Sequence, residues 1–171
     1  LGPTQFLPRI PQRQVYRHCR IEGDIDFIFG GAAAWFEDCD IVSIDGLRDH
    51  GDRKEPALGF CTAASTPEGQ EFGYVFMKCR FQGEGVPDGA IYLGRPWREF
   101  AKTVLLHCEL GAHIHPEGWH DWNKPCFPAT GYYAEFASTG AGSQGQRAAY
   151  VHQLTAEEAE KYTFEIGRAH V

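Results

Sequence analysis

Four stretches of the chain repeat one alternation of apolar and polar positions. They are Val15-Tyr-Arg-His-Cys-Arg-Ile21, Trp35-Phe-Glu-Asp-Cys-Asp-Ile41, Val75-Phe-Met-Lys-Cys-Arg-Phe81 and Val104-Leu-Leu-His-Cys-Glu-Leu110. Such alternation predicts a short strand in each string. Cysteines at 19, 39, 61, 79 and 108 follow at intervals of 20, 22, 18 and 29 residues, a period of about 20 with one longer turn. One strand signature per period of this length marks a solenoid, because a single coil cannot bury its apolar residues alone. Val, Ile, Phe and Tyr dominate the strings, while Gly, Pro, Asp and Asn separate them. The pattern therefore predicts an all-β chain, a right-handed parallel β-helix with coils of about 20 residues and cysteines stacked inward as small apolar groups. The rival reading of six cysteines is a disulfide-stapled sandwich.

Helical signal is confined to the C-terminal region. Thr155-Ala-Glu-Glu158 is a capping box that predicts a short helix running towards Tyr162. The Gly-rich stretch 138–146 and the charged stretch 45–56 read as solvated connections. The chain opens on Leu1 and its one methionine is Met77, so it is expected to be the C-terminal part of a longer domain. Residues 1–164 are assigned to that single domain, and the end, Glu165-Ile-Gly-Arg-Ala-His-Val171, reads as a non-native tail.

Charge and length narrow the function classes. The 171 residues carry 16 Lys and Arg against 23 Asp and Glu, a formal net charge of −7. An acidic balance argues against a nucleic-acid partner, whose phosphates need a basic footprint. The longest apolar run, Phe27 to Phe36, has ten residues, about half of what a membrane-spanning helix requires.

Three places carry candidate chemistry. Asp26 stands between Ile25 and Phe27, where a carboxylate loses hydration and must find donors or a cation. It is either a functional group or an Asp tying off a turn. Arg95 is held between flexible Gly94 and rigid Pro96, so its fork of donors could meet a carboxylate bidentately, with Trp97 free to stack on a sugar ring. Alternatively, Arg95 braces a turn and Trp97 fills core. In the stretch 111–120, His113 and His115 would share a face if extended, yet Pro116 and Gly118 interrupt it and no ligand spacing completes a first shell. A polar cleft wall is the preferred reading there, with no metal assigned.

These residues carry a family resemblance. Ile21-Glu-Gly-Asp-Ile-Asp-Phe-Ile-Phe-Gly30 with Ala32-Ala-Ala34, then Leu93-Gly-Arg-Pro-Trp97, then Gly118-Trp-His-Asp-Trp-Asn123, resemble the pectin methylesterase (pectinesterase) family, in order, from about Tyr16 to Tyr162. The family's fold is a right-handed parallel β-helix, in agreement with the period. The resemblance implies a hydrolase that removes methyl esters from polygalacturonate without metal or organic cofactor. It makes Asp26 the nucleophile, Arg95 its partner, and Phe29 and Trp97 aromatic residues of the substrate cleft. It also implies a monomer acting on pectin, secreted, periplasmic or associated with the outer membrane. Two departures stand out. The family's acid/base aspartate belongs to a Gln-Asp-Thr-Leu-type motif one coil before Asp26, and the first carboxylate here is Glu22; Gln5, Gln12 and Gln14 are not in that motif. The acid/base is therefore expected upstream, and the chain alone is expected to be inactive. Gly31 stands where members often carry a polar residue, and residues 2–8 resemble an insertion of some bacterial members. The competing functions are a non-catalytic carbohydrate-binding β-helix and another polysaccharide-active β-helix enzyme such as a lyase.

Overall fold

The structure, a computed structural model, describes residues 12–45 and 59–166. The chain winds through successive coils, each contributing one strand to each of up to three parallel sheets. The first coil holds β1 (Arg13–Arg17), β2 (Arg20–Gly23) and β3 (Ile25–Gly30). The second holds β4 (Ala33–Glu37), β5 (Asp40–Ile44) and β6 (Gly59–Ala64). The third holds β7 (Tyr74–Met77), β8 (Arg80–Glu84) and β9 (Ile91–Gly94). In the fourth, β10 (Lys102–Leu106) and β11 (Glu109–Leu110) are followed by single bridges from Ile114 to Ile91 and from Trp119 to Gly94. Strands β12 (Tyr132–Phe136) and β13 (Val151–Gln153) complete the first sheet. Its order is β1-β4-β7-β10-β12-β13; the second is β11-β8-β5-β2 and the third β3-β6-β9. This is a parallel β-helix, right-handed as parallel crossovers almost always are.

Each expected seven-residue strand is in fact two strands around a corner. His18, Asp38, Lys78 and His107, the residues just before the repeated cysteines, take φ of 52°, 50°, 53° and 54°. That left-handed residue turns the chain from the first sheet to the second. Each corner N–H still donates to the next coil, as His18 N does to Glu37 O and Asp38 N to Met77 O, so the ladder runs through the bend. The thiols sit just inside it. Cys39, Cys79 and Cys108 are fully buried, and each donates to a carbonyl of the coil below (Tyr16, Phe36 and Phe76) at 3.4–3.6 Å. All six cysteines are free thiols and every strand pairing is parallel, which sets aside the stapled sandwich.

One cysteine misleads. Cys61 lies on β6 in the third sheet, its Sγ 3.4 Å from Ser43 Oγ, and is no rung of the ladder. The intervals of 22 and 18 therefore belong to a single coil: Tyr16 pairs with Phe36, but Phe36 pairs with Phe76, 40 residues on. Inside the helix, in-register rings stack coil on coil. Tyr16 and Phe36 lie 4.8 Å apart, and Phe36 and Phe76 4.4 Å apart, within 11° of parallel.

The outer face of the first sheet is also apolar. Trp35, Val75, Val104 and Ala134 are buried there beneath a strap formed by residues 154–166. The strap begins with the expected capping box. Glu158 N donates to Thr155 Oγ1 and Thr155 N to the Glu158 carboxylate, although α2 (Ala156–Ala159), like α1 (Phe127–Thr130) before it, is a single turn. Glu165 and Ile166, grouped by sequence with the tail, are part of the strap, and Ile166 is buried. Residues 167–171, 46–56 and 2–8, together with Gln5, lie outside the described residues. The Gly-rich stretch is not a free connection. A Cβ on Gly140 would meet Leu110 N and O within 3.1 Å, and one on Gly142 would meet Gly111 O at 2.3 Å, so glycine lets this stretch close against the fourth coil.

Candidate active site

Asp26 lies on the first strand of the third sheet, at a break in the ladder. Ile25 pairs with Phe60 and Ile28 with Thr62, so two residues of β3 face one of β6. Such a bulge re-aims a side chain. Asp26 takes φ of 51° there, a costly conformation for a residue with a Cβ, and one kept where the surroundings over-determine it.

Arg95 follows β9, two strands from Asp26. Parallel strands are about 4.8 Å apart, so its side chain has to cross β6 to reach the bulge. It does. Arg95 Nε donates to Asp26 Oδ1 at 2.9 Å and Nη2 to Oδ2 at 2.6 Å, a bidentate pair between groups 69 positions apart. Both side chains are about 15% exposed, sheltered from bulk water but reachable from one side. The guanidinium carbon lies 4.1 Å from the ring centre of Phe60, on the strand it crosses, and 4.5 Å from that of Trp122. Two aromatic faces and a bidentate carboxylate leave the cation almost no freedom. Its backbone is fixed as well, since Arg95 N donates to Thr62 O.

Phe29 and Trp97, the two expected cleft aromatics, are among the few large apolar side chains left exposed, at 56% and 37%. They meet edge to face at 5.1 Å, and Trp97 also lies 5.3 Å from Trp122. Together with Thr66, Glu99 and Lys124 they line an open cleft of about 660 Å³. The wall behind Phe29 is tied down through the backbone that follows it. Tyr74 Oη donates to Gly30 O at 2.6 Å and Gln70 Nε2 to Gly31 O at 3.1 Å.

The two histidines diverge. His113 is buried, and burial pushes its pKa down to about 4. His115 stacks on Tyr92 at 4.2 Å on the outside. Among the described residues no group of three or more His, Cys, Asp or Glu side chains is placed to hold a metal ion.

Sequence reasoning singled out Asp26, Arg95, Phe29 and Trp97, and the structure brings all four together. It missed Phe60, which no local signal marks, and passed over Trp122, which the last of the three motifs contains. A carboxylate with both oxygens engaged by one guanidinium keeps further lone pairs free, so chemically it can still serve as a nucleophile towards a group bound in the neighbouring cleft.

Comparison with known proteins adds an independent line. The sequence model of the Pectinesterase family matches residues 7–166. The probable pectinesterase/pectinesterase inhibitor 64 of Arabidopsis thaliana is 36% identical over 178 residues, covering 95% of this chain and 29% of its own length. Among solved structures, the pectin methylesterase of Aspergillus niger superposes with a TM-score of 0.70 at 32% identity, over 86% of this chain and 46% of that one. The carrot pectin methylesterase gives 0.72 at 29% identity, over 88% and 48%. The chain thus spans about three-tenths of the curated relative and about half of the solved chains.

Proposed function

The chain belongs to the pectinesterase family, and on that premise we propose that the protein containing it hydrolyses the methyl esters of polygalacturonate, with Asp26 as nucleophile and Arg95 as its partner. The observation that carries this reading is the bidentate Asp26–Arg95 pair, held on a bulge beside two exposed aromatics.

In the proposed reaction an Asp26 oxygen attacks the C6 carbonyl carbon of a methylated galacturonate. The carbonyl π electrons move to oxygen and form a tetrahedral oxyanion. Its collapse breaks the bond to the methoxy oxygen, which takes a proton and leaves as methanol, and an anhydride joins Asp26 to the sugar. Water then adds to the anhydride, giving the free uronate and restoring the carboxylate. Arg95 aims the nucleophile in both halves, while Phe29 and Trp97 hold the ring planes.

The proton donor must be a second group, acting first as acid and later as base. We assign it to a coil preceding β1, as the family resemblance implies. The edges of β1, β2 and β3 all lie at the first described coil, and a residue stacked in register on β3 would come within about 5 Å of its partner there. With the acid on that preceding coil, residues 1–171 alone are expected to turn over roughly 10²–10⁴-fold more slowly than the longer protein. Because the polymer substrate is extracellular, we place the protein outside the cytoplasm. One chain supplies both members of the pair and the cleft, so a monomer suffices.

The test is methanol release from esterified pectin by the protein carrying the upstream coils. Asp26→Asn is expected to lower kcat at least about 10³-fold, since it removes the attacking oxygen while keeping the shape. No methanol release by the unaltered longer protein, with pectin binding that survives Asp26→Ala, would instead favour the carbohydrate-binding reading. Methanol release surviving Asp26→Ala would mean that another group is the nucleophile. Dependence on added Ca²⁺, with chain cleavage in place of methanol, would favour the lyase.

A further inference from the structure

Lys124 lies 29 residues beyond Arg95, on the turn after Trp122, and its ammonium is used in an unusual way. Nζ donates to Pro96 O and to Trp97 O, each at 2.8 Å. Consecutive carbonyls of an extended chain point to opposite sides, so one donor serving both requires the chain to curl around it. The two oxygens belong to the two peptide groups flanking the Trp97 Cα. The N–H groups of the same two peptides, Trp97 N and Arg98 N, both donate to Ala64 O, at 3.0 and 3.3 Å. Both peptide planes are thus clamped between one carbonyl on β6 and one ammonium. Since Ala64 O is backbone, Lys124 is the side chain that completes the clamp.

The ammonium also lies 5.0 Å from the Trp122 ring centre, and that ring in turn touches Trp97 and Arg95. From this geometry we infer that Lys124 is the positioning residue of the cleft: it sets the direction of the Trp97 indole, and through it the grip on the sugar ring. Arg95 does not depend on it to the same degree, being held separately by Asp26, Phe60 and Thr62 O. The effect on turnover rests on the esterase reading; the effect on the Trp97–Trp122 pair does not.

Loss of the ammonium is expected to weaken substrate binding without slowing the chemical step. In the protein carrying the upstream coils, Lys124→Met should raise KM for esterified pectin about tenfold and leave kcat within about twofold, the signature of lost binding common to ground and transition states. Lys124→Arg, which keeps a charged donor, should recover most of that loss. A residue that only supported the fold would reduce the amount of active protein, lowering apparent kcat at constant KM, and that result overturns the inference.

A measurement on the unaltered chain covers the case in which Lys124→Met fails to fold. Burial, assisted by Arg98 and opposed by Glu99, lowers the Lys124 pKa below the ordinary lysine value. The near-UV circular dichroism assigned to Trp97 with a Trp97→Phe control should therefore change reversibly as pH is raised, with a midpoint below about 10.4. A Trp97 signal constant until global unfolding overturns the inference. If no methanol is released even by the unaltered longer protein, the esterase reading fails, and the dichroism still decides the role of Lys124.

Discussion

His113 shows how a single side chain can set the acid limit of a fold. Its ring is nearly fully buried, packed so closely against Gly83 and Gly111 that a Cβ on either would come within 2.8 Å of it, and its Nε2 has no hydrogen-bond partner among the described residues. Burial lowers its pKa from 6.5 to about 4, against a weaker opposing pull from Asp88. The unfolded chain takes up this proton near pH 6.5 and the folded chain only near pH 4. The contribution is therefore fully present above pH 6.5 and is lost as pH falls through that window, about 3 kcal/mol by pH 4. Denaturant titrations at pH 7 and pH 4.5 are expected to show a smaller loss of stability in His113→Gln than in the unaltered protein. Equal losses would mean that the proton goes elsewhere. The carboxylates that also titrate over this range are common to both proteins and cancel in the difference.

At the scale of the strand and corner, the recurring unit is a left-handed residue placed before a buried thiol. Lys78 is an exposed example with φ of 53°. Glycine adopts that conformation without the Cβ clash, so Lys78→Gly is expected to stabilise by about 0.5–1 kcal/mol despite glycine's entropy in the unfolded chain, and Lys78→Val to destabilise by about 1–2 kcal/mol. Shifted denaturation midpoints at constant slope would show both. The corners also explain what could be read from sequence. The alternation through Arg17-His18-Cys19 or Met77-Lys78-Cys79 does not break at the bend, and His, Asp and Lys give no glycine to mark it. The ladder of thiols was legible because each rung buries a small side chain at the same point of the coil. Cys61 imitated a rung by spacing alone, since burial in a neighbouring sheet demands the same chemistry. Asp26 and Arg95 were legible one by one, as a carboxylate among apolar residues and a cation between Gly and Pro. Phe60 was not, because the reason for an aromatic at that position is an arginine passing over it from another coil.

For the whole molecule, the decisive contacts are those of the strap. Residues 154–166 leave β13 and cross the outer face of the first sheet to the opposite end, where Arg13 Nη1 donates to Glu165 O and Ile166 O, both at 3.0 Å, and Arg17 lies over Phe164 at 5.3 Å. Six strands in parallel order put roughly 24 Å between those ends. In a plain solenoid each coil is coupled only to its neighbours, as in a one-dimensional lattice with open boundaries, and the terminal coils melt first. The strap joins the first and last described coils. A fluctuation that frees the last coil must also release β1, so the first and last described coils open together rather than independently. Calorimetry of the intact chain is then expected to give one cooperative transition, and hydrogen exchange to show similar opening free energies in β1 and β12. Removing residues 160–166 should split that transition and let β1 exchange ahead of β7, and an unchanged single transition would show that the coupling lies elsewhere. The strap contributes synchrony to the coils as well as buried area.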